Sequence, residues 1–423
     1  MTTILALTDS PDDIRRFCPP GDTLLFTTRV LPPGDHGYEH FEAGYRALKA
    51  SCDLSTVDLV IAEYVESLPL LWFMRRDGYS CPALMIPHTN PYPLHILCYF
   101  LLIAEESHPA DLVICGSPHA CRAYEHLTGI RAEPICTFGI SEVYRPADRA
   151  ACRAELGLPQ DATVLLYTGR FMNDKGLDPL LEGYELLRRQ DPRVLLALST
   201  THIDPSYYNR LAPRLRDAVV FHRLEKERTA RLYAAADVFV SGATSVFETY
   251  AKSALEALAC QVPAVVPRWD GFPHYVGDHN GGLVDVVYRD EPHSSPYEFA
   301  RMDTRHFAEV CRRVLERRPV PTGVADWARY EHTMTVLPGV VERMARAGRS
   351  TGPPSPARPI DPERHPASVR NVLRHYGLDR PGDPLRKADR LGLLGQREPG
   401  ERGLLRALHH DLFGVMDAER QTV

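Results

Sequence analysis

One strand–helix–strand segment in the second half of the chain limits its possible folds more than any other feature. The apolar run Asp237-Val-Phe-Val predicts a short buried strand, and Ala264-Val-Val predicts a second one. Residues 245–260 between them are rich in Ala and Leu, which favour a helix, and Pro263 marks its end because proline interrupts helical hydrogen bonding. Two strands joined by a helix predict a parallel pair in an α/β sheet.

Two glutamates mark the start and the middle of this predicted helix. Glu248 lies at or just before the helix start, and Glu256 follows eight positions later, about 12 Å along a helix that rises ~1.5 Å per residue. An acid/base pair acting on one bond needs carboxylates roughly 5 to 9.5 Å apart, so this separation is too long. It suits two carboxylates that bind different parts of one extended ligand, while the helix N-terminus between them attracts an anion. A nucleotide sugar has this outline.

The segment around these glutamates also resembles a known family. Residues 247–260 contain a Glu-x7-Glu pattern similar to the signature of retaining glycosyltransferases of family 4, and residues 167–182 resemble its other half, Gly-Arg followed by Lys-Gly. The resemblance covers 112–344 and implies the α/β fold called GT-B, with two Rossmann-like α/β/α domains that face a central cleft. We predict an acceptor-binding domain at 1–150 and a nucleotide-sugar-binding domain at 151–325. A crossover helix at 326–346 would return to the first domain, and 347–423 would form a Pro-rich linker with a C-terminal helical extension.

The resemblance implies a role for each residue of the signature. Arg170 and Lys175 would hold the nucleotide diphosphate, the arginine through paired hydrogen bonds and the lysine as a point charge. Glu248 would bind hydroxyls of the donor sugar near the anomeric carbon, and Glu256 would bind the ribose hydroxyls. The competing interpretation is a loop with solvated cations beside a solvated pair of glutamates. The complete implied donor site, in which the backbone of 249–252 meets the distal phosphate, is Gly169, Arg170, Lys175, Glu248, Thr249, Tyr250, Ala251, Lys252 and Glu256.

Several positions near this site depart from the family pattern. Ala251 replaces a common glycine, and His222 and Arg223 lie where a glycine often adjoins the nucleobase. Residues 269–276 resemble a Gly-Gly-x-Pro-Glu loop in which His274 replaces the glutamate. The family preference is for uracil, so the expected co-substrate is a UDP-sugar.

The first half of the chain alternates apolar runs with helical segments, which predicts a second parallel sheet with helices on both faces. No Gly-x-Gly-x-x-Gly follows the first strand, which disfavours a dinucleotide site. Ligands of such sheets bind beyond the carboxyl ends of the strands. The candidate strands are 3–7, 23–27, 59–62, 83–86 and 112–114, and the candidate binding loops are 9–13, 35–42, 63–67 and 88–92.

His88 and several acidic residues lie in these loops. His88 follows a predicted strand and resembles the active-site histidine of the family, which implies contact with the transferring sugar; the alternative is a histidine that caps a turn before Asn90. With His88, the implied catalytic group is completed by Glu248, Arg170 and Lys175. The carboxylates suggest a cationic or polyhydroxylated acceptor, and the alternative is a solvated acidic surface. The acidic residues concerned are Asp9, Asp12, Asp13, Asp35, Glu39, Glu42, Glu63 and Glu66.

Composition argues against several classes of function. The net charge of −6 lacks the basic footprint of a nucleic-acid binder, so no nucleic-acid partner is expected. Ten cysteines form no Cys-x-x-Cys pair, and no Asp-x-Asp occurs, so we expect chemistry without a metal or a bound cofactor. The longest apolar run, 95–104, is far shorter than the ~20 residues that span a bilayer, and no signal peptide precedes the first strand. We therefore expect a cytoplasmic protein without membrane contact.

Three functions are compatible with these patterns. The first is retaining transfer of a hexosyl or N-acetylhexosaminyl group to a small hydroxylated acceptor, such as an aminocyclitol or another natural-product core. The second is the same chemistry on a lipid-linked or polysaccharide acceptor at a membrane surface, and the third is a GT-B scaffold that has lost activity and acts as a binding partner. Tail helices predicted at 367–376 and 402–416 are expected to pack over the core or to form a homo-oligomer contact.

Overall fold

The chain forms two compact α/β units in the computed structural model. The first unit comprises Met1–Thr137 and Thr333–Val423, and the second comprises Phe138–His332. The sequence predicted the domain boundaries at 150 and 326 instead. Residues from 138 onward group with the second unit because Ile140 forms a β-bridge with Arg329. The structure describes residues 2–8, 10–20, 22–27, 37–91, 93–245, 247–288, 300–354, 356, 358–391, 393 and 408.

The first unit is built on a six-stranded parallel sheet in the order β2-β1-β3-β5-β6-β7. The five strands predicted in this half of the chain all belong to the sheet, which confirms the predicted parallel α/β pattern. The strands are β1 (Thr3–Leu7), β2 (Thr23–Thr27), β3 (Leu59–Glu63), the short β4 (Tyr79–Ser80), β5 (Ala83–Ile86), β6 (Leu112–Cys115) and β7 (Ala132–Pro134). The helices are α1 (Pro11–Arg15), α2 (Tyr38–Ser51), α3 (Leu68–Arg76), α4 (Leu94–Glu105) and α5 (Pro118–Thr128).

The second unit has a six-stranded parallel sheet in the order β10-β9-β8-β11-β12-β13. Its strands are β8 (Thr163–Thr168), β9 (Val194–Thr200), β10 (Val219–His222), β11 (Val238–Val240), β12 (Ala264–Pro267) and β13 (Gly281–Val284), beside an antiparallel pair, β14 (Val286–Tyr288) and β15 (Ala300–Met302). Its helices are α6 (Arg149–Leu156), α7 (Leu177–Gln190), α8 (Pro205–Leu211), α9 (Lys226–Ala235), α10 (Lys252–Ala259) and α11 (Thr304–Arg317). The predicted strand–helix–strand segment is β11-α10-β12, and its strands are parallel neighbours as expected.

Apolar strand residues form the core of each unit because both faces of a parallel sheet are covered. In the second unit, Leu165, Val238 and Val265 on three neighbouring strands are fully buried and belong to one cluster with residues of α7 and α11. In the first unit, Ile4 and Ile61 belong to a cluster that is completed from the far end of the chain. Short 3₁₀ turns lie at Leu54–Thr56, Val65–Ser67, Asn173–Lys175, Ala212–Arg214, Phe272–His274, Asp326–Ala328 and Pro362–Arg364.

The chain returns to the first unit through α12 (Tyr330–Ala345), the helix that the sequence predicted at 326–346. Leu337, Val341 and Met344 on this helix are buried against the apolar strand residues of the first sheet. The following β16 (Ser350–Thr351) pairs antiparallel with β4. The sequence predicted no regular structure for the proline-rich segment. The short strand β16 is an exception, because its backbone groups form hydrogen bonds with those of β4.

The tail after β16 covers α4, a helix that is apolar on every side. All residues from Leu94 to Ala104 are buried, as expected for a helix that is hydrophobic all round. The tail contributes α13 (Ala367–Tyr376) and α14 (Pro384–Arg390), and α14 contacts both α2 and α4. Within the described residues, no helix combines the length and apolarity needed to cross a membrane. Apart from residue 408, the helix predicted at 402–416 lies outside the described residues, and the homo-oligomer contact stays a prediction.

Candidate active site

Most of the predicted donor-site residues line one cavity of about 600 Å³ at the carboxyl ends of β8, β9 and β11. Seven of the nine predicted residues take part: Gly169, Arg170, Lys175, Glu248, Ala251, Lys252 and Glu256. Thr249 and Tyr250 are not among the described lining residues, and the Tyr250 hydroxyl instead donates to the carbonyl oxygen of Phe138 at 3.4 Å. The cavity therefore brings together both halves of the sequence signature.

Lys175 and Glu248 form the central ion pair of this cavity. The Lys175 Nζ donates to Glu248 Oε2 at 3.0 Å, and Asp174 Oδ2 lies 3.9 Å from the same nitrogen. Burial has the largest effect on the pKa of Lys175 and lowers it, but the two carboxylates together more than offset burial, so the pKa lies above its ordinary value. The cavity thus contains a protonated lysine held by carboxylates, which an anionic ligand can recruit.

Two glycines bring the lysine loop and the glutamate loop together. Gly176 has a left-handed backbone with φ of 63°, and a Cβ atom there would overlap the carbonyl oxygen of Gly242. A Cβ at Gly242 would in turn overlap the carbonyl oxygen of Gly176. This backbone-to-backbone contact explains why Lys175 reaches Glu248. Gly176 belongs to the predicted signature, whereas Gly242 was not predicted; its signal in the sequence was its place two residues after a buried strand.

The start of α10 differs from the prediction. The helix begins at Lys252, so Glu248 precedes it by four residues and the helical rise does not describe the Glu248–Glu256 spacing. Ala251 caps the helix in the left-handed region, with φ of 48° and ψ of 61°, and its N–H donates to Glu248 Oε1 at 3.0 Å. The left-handed backbone accounts for the glycine that the family commonly has at this position. Glu248 thus supports the turn into the helix as well as pairing with Lys175.

Glu256 is held by two tyrosines that the sequence analysis missed. Its buried carboxylate accepts a hydrogen bond from the hydroxyl of Tyr233 at 2.9 Å, and the Tyr144 phenol lies near enough to the same carboxylate that burial and the Glu256 charge together raise the pKa of that phenol. The Lys252 ammonium lies 3.9 Å from the other carboxylate oxygen. Burial raises the pKa of Glu256, and Lys252 and the two tyrosines only partly offset this effect. No sequence signal links these residues, because the tyrosines come from a loop and from α9 and meet the carboxylate only in the folded unit.

Arg170 lies at the mouth of the cavity. Its side chain is half exposed, and its Nη2 lies 3.4 Å from Asp174 Oδ2. The Tyr167 hydroxyl donates to the Arg170 carbonyl oxygen at 3.0 Å and so orders the backbone of this loop. Among the described residues the ion-pair partner of Arg170 is the distant Asp174 carboxylate, so this exposed guanidinium can turn towards a ligand at low energetic cost.

His88 and Glu63 meet at the carboxyl edge of the sheet in the first unit. His88 Nε2 lies 3.0 Å from Glu63 Oε1, and the Thr8 hydroxyl donates to the other oxygen of the buried Glu63 carboxylate. Tyr64 and His88 both have left-handed backbones, with φ of 63° and 55°, and their rings lie 5.0 Å apart. Non-glycine residues in this conformation carry strain and are common at functional sites. The structure therefore joins two of the sequence-predicted candidates.

Other acidic residues of the first unit pair with arginines on its surface. Asp12 lies 3.7 Å from Arg15, and Asp13 lies 3.3 Å from Arg16, all four side chains being exposed. Glu42 is close to both Arg46 and Arg386. For these residues the solvated-surface alternative describes the structure better than an acceptor site. Asp9, Asp35 and Tyr92 lie outside the described residues.

Arg223 and Asp270, which lie in two other segments that resemble the family pattern, have the same left-handed backbone as Ala251. Arg223 has φ of 52°, and its N–H donates to the Thr200 carbonyl oxygen at 2.9 Å. The buried Asp270, next to the retained Gly271, has φ of 50°. The local backbone is thus one that glycine favours, although the side chains differ. Among the described residues, no group of three His, Cys, Asp or Glu side chains is arranged to hold a metal ion.

The chain is similar to known proteins in sequence and in structure. The family described as glycosyl transferases group 1 matches residues 148–291. The D-inositol 3-phosphate glycosyltransferase of Saccharomonospora viridis is 33% identical over 323 residues, which cover 69% of this chain and 69% of that protein. The corresponding protein of Geodermatophilus obscurus is 30% identical over 341 residues, covering 71% of each. Another relative, from Catenulispora acidiphila, is 36% identical over 153 residues, so the match spans 33% of this chain and only 35% of that protein.

Solved structures share the fold at low sequence identity. Sucrose-phosphate synthase (tll1590) from Thermosynechococcus elongatus superposes with a TM-score of 0.56 at 20% identity, covering 82% of this chain and 97% of that one. Anabaena Alr3699/HepE in complex with UDP and glucose superposes with a TM-score of 0.55 at 15% identity, covering 82% and 99%. Together with the two parallel sheets, these likenesses confirm the predicted GT-B fold class.

Proposed function

The chain belongs to the group 1 glycosyl transferases, and on that premise we propose that it moves a hexosyl or N-acetylhexosaminyl group from a nucleotide-diphosphate sugar to a small hydroxylated acceptor. The observation that carries the proposal is the convergence of Lys175, Glu248 and Glu256 on one cavity of the second unit. A cation beside one carboxylate, with a second carboxylate held apart by tyrosines, suits a ligand that is anionic in one part and hydroxylated in two others. The transfer is proposed to retain the anomeric configuration and to need no metal.

The donor is proposed to bind by a change of partner at Lys175. The diphosphate would take the ammonium from Glu248, and the half-exposed Arg170 would add a second cation as charge develops on the leaving group. The carboxylate of Glu248 would then accept hydrogen bonds from the donor sugar, and Glu256 from the ribose. A uridine nucleotide is supported by the family resemblance and by the UDP and UDP-glucose in the solved Anabaena proteins.

The reaction is proposed to proceed on one face of the donor sugar. The bond between the anomeric carbon and the diphosphate oxygen breaks, and the acceptor hydroxyl oxygen forms a bond to the same carbon on the face that the diphosphate leaves. The proton of the hydroxyl passes to a diphosphate oxygen, whose charge Lys175 and Arg170 stabilise. His88, held by Glu63, is proposed to contact the transferring sugar.

The acceptor is proposed to be a cyclitol or a similarly polyhydroxylated small molecule, possessing either amino or phosphate substituents. Support comes from the relatives that are named D-inositol 3-phosphate glycosyltransferases. Further support comes from the buried Glu63 carboxylate, which can accept hydrogen bonds in the first unit. An aminocyclitol and an inositol phosphate differ in charge, so they are the two acceptors to compare in a transfer assay.

Calorimetric titration without metal tests the donor half of the proposal. UDP, GDP and ADP are titrated into the wild-type chain and into Glu256→Ala, with Glu155→Ala, a surface glutamate bound to Arg231, as matched control. We expect one nucleotide to bind, Glu256→Ala to weaken it about tenfold or more, and the control to match wild type, because a hydrogen bond to a charged group contributes about 1.5–3 kcal/mol. Absence of binding by every nucleotide would reject the transferase and favour an inactive scaffold.

Product configuration tests the stereochemical half of the proposal. Calorimetry identifies the nucleotide that binds. A nucleotide sugar containing that nucleotide is incubated with each acceptor, and the anomeric coupling constant of the product is measured by NMR. Retention is expected. Inversion would leave the donor site intact but overturn the retaining mechanism.

A further inference from the structure

We infer that Tyr144 and Tyr233 are positioning residues that hold Glu256 in place for the ribose, and that the site thereby discriminates ribonucleotides from deoxyribonucleotides. This inference rests on the proposed function and deepens it. The two tyrosines lie far apart in the chain, one in the loop before α6 and the other on α9. The Tyr233 hydroxyl donates to the Glu256 carboxylate, and Tyr144 packs on the Tyr233 ring and lines the cavity beside Glu256.

The Glu256 carboxylate has acceptor capacity left for a ligand. An ionised carboxylate offers about four lone-pair positions, and the Tyr233 hydroxyl occupies one of them. The residue is only 8% exposed, yet it lines the cavity together with Tyr144. Its unused acceptor positions are therefore directed to a ligand in the cavity, because burial leaves little access to solvent elsewhere.

The tyrosines are themselves fixed, so the carboxylate cannot readily rotate. Tyr233 is fully buried, and its hydroxyl is also hydrogen-bonded to the Thr168 hydroxyl at the end of β8. The rings of Tyr144 and Tyr233 meet edge to face, with centroids 5.7 Å apart, and the Phe239 ring lies 6.1 Å from that of Tyr233. Burial and the charge of Glu256 raise the pKa of both phenols, which keeps them protonated as donors.

A carboxylate held in this way favours hydroxylated ribose. A site built to bind a hydroxyl rejects an analogue that lacks it, because the buried acceptor is then left without a partner. Loss of a tyrosine hydroxyl lets the carboxylate turn towards a remaining partner, so both the affinity for ribose and the discrimination against deoxyribose fall.

The test compares four ligands on four proteins by calorimetry. The ligands are UDP, 2′-deoxy-UDP, 3′-deoxy-UDP and inorganic pyrophosphate, and the proteins are wild type, Tyr144→Phe, Tyr233→Phe and Tyr184→Phe. Tyr184 is the matched control, a buried tyrosine of the same unit whose hydroxyl donates to the Asp217 carbonyl oxygen away from the cavity. Melting temperatures of all four proteins separate loss of folding from loss of binding.

The quantity compared between proteins is the ratio of the affinity for UDP to the affinity for each deoxy nucleotide. In wild type and Tyr184→Phe, at least one deoxy nucleotide binds about tenfold or more weakly than UDP. In Tyr144→Phe and Tyr233→Phe this ratio falls by about threefold or more, while pyrophosphate binds as in wild type, since its cations are untouched. UDP binding with an unchanged ratio in both variants would overturn the inference and leave the proposed function intact. Failure of UDP to bind to wild type would overturn both.

Discussion

The side chains of Lys175 and Glu248 form an ion pair across the candidate donor cavity, with 3.0 Å between Nζ and Oε2, although 73 positions separate them in the chain. The cation proposed for the diphosphate and the carboxylate proposed for the sugar therefore neutralise each other in this structure. A ligand with two or more negative charges competes with Glu248 for the ammonium. Donor binding and release of the sugar-side carboxylate are thereby coupled in one exchange.

Substitution of the two partners separates binding from transfer. Lys175→Met is expected to weaken UDP binding about tenfold or more, because it removes a charge-assisted hydrogen bond to phosphate. Glu248→Gln is expected to keep UDP affinity at or above that of wild type, since the ammonium is released, and to slow transfer about a hundredfold or more. Calorimetry and a transfer assay measure the two effects. Lys49→Met, which breaks a surface pair with Asp77, is the control. Equal loss of binding in both variants would contradict the exchange of partners.

The Glu63–His88 pair offers a test of the first unit. Glu63→Gln keeps the size of the side chain but weakens the orientation of His88, so transfer is expected to fall about tenfold or more. UDP affinity is expected to stay within about twofold of wild type, because Glu63 belongs to the unit that does not hold the donor cavity. Steady-state rates and calorimetry check both values, with Glu342→Gln, an exposed residue of α12 in the same unit, as control. Full transfer activity in Glu63→Gln would remove His88 from the proposed catalytic group.

The left-handed backbone at Ala251 predicts a stabilising substitution. Ala251→Gly relieves the Cβ strain at φ of 48° and is expected to raise the free energy of unfolding by about 0.5–1 kcal/mol. Ala154→Gly, at an exposed helical position of α6, is the matched control and is expected to lower it by about the same amount. Urea denaturation measures both changes. Destabilisation by both glycines would show that the cap at Ala251 is not strained.

The raised pKa of Glu256 predicts a pH-dependent effect on stability. Because burial raises this pKa above the ordinary value of 4.5, the folded protein binds the proton more tightly than the unfolded chain. The contribution of the group to stability is complete below its unfolded pKa and is lost as the pH rises through the folded pKa.

Glu256→Gln removes that dependence on pH. The melting temperature of the variant minus that of wild type is expected to become more positive from about pH 5 to about pH 8, even as nucleotide affinity falls. Scanning calorimetry across this range measures the difference, with the exposed Glu155→Gln as control. If the difference in melting temperature stays constant with pH, Glu256 has the same pKa in the folded and unfolded states.

Local sequence patterns were sufficient to predict the sheets. The strands at Thr3–Leu7 and Ala83–Ile86 have the predicted bounds, because apolar runs are local properties of the sequence. The helix α4 was not predicted, since a segment that is apolar on every side has no periodicity to detect. Its burial depends on α14, almost 300 residues further along the chain, as the bounds of the two helices show.

The candidate site could be predicted in composition but not in geometry. The signature identified Lys175, Glu248 and Glu256, yet it placed Glu248 at or just before the helix start and not four residues ahead of it, because propensity alone does not reveal the left-handed cap at Ala251. Tyr144 and Tyr233 were missed for a different reason. Their interactions with Glu256 exist only after three separate segments of the second unit have folded together.

The return of the chain through α12 has a consequence for the order in which the protein is made. Every strand of the second sheet has been synthesised once the ribosome passes Val284, whereas the first sheet still awaits Leu337 and Val341 on α12. The apolar helix α4 of the first unit is covered later still, after α14 has been synthesised. Since domains generally fold as units during synthesis, the unit that begins the chain completes its core last, and exposes apolar surface for most of translation.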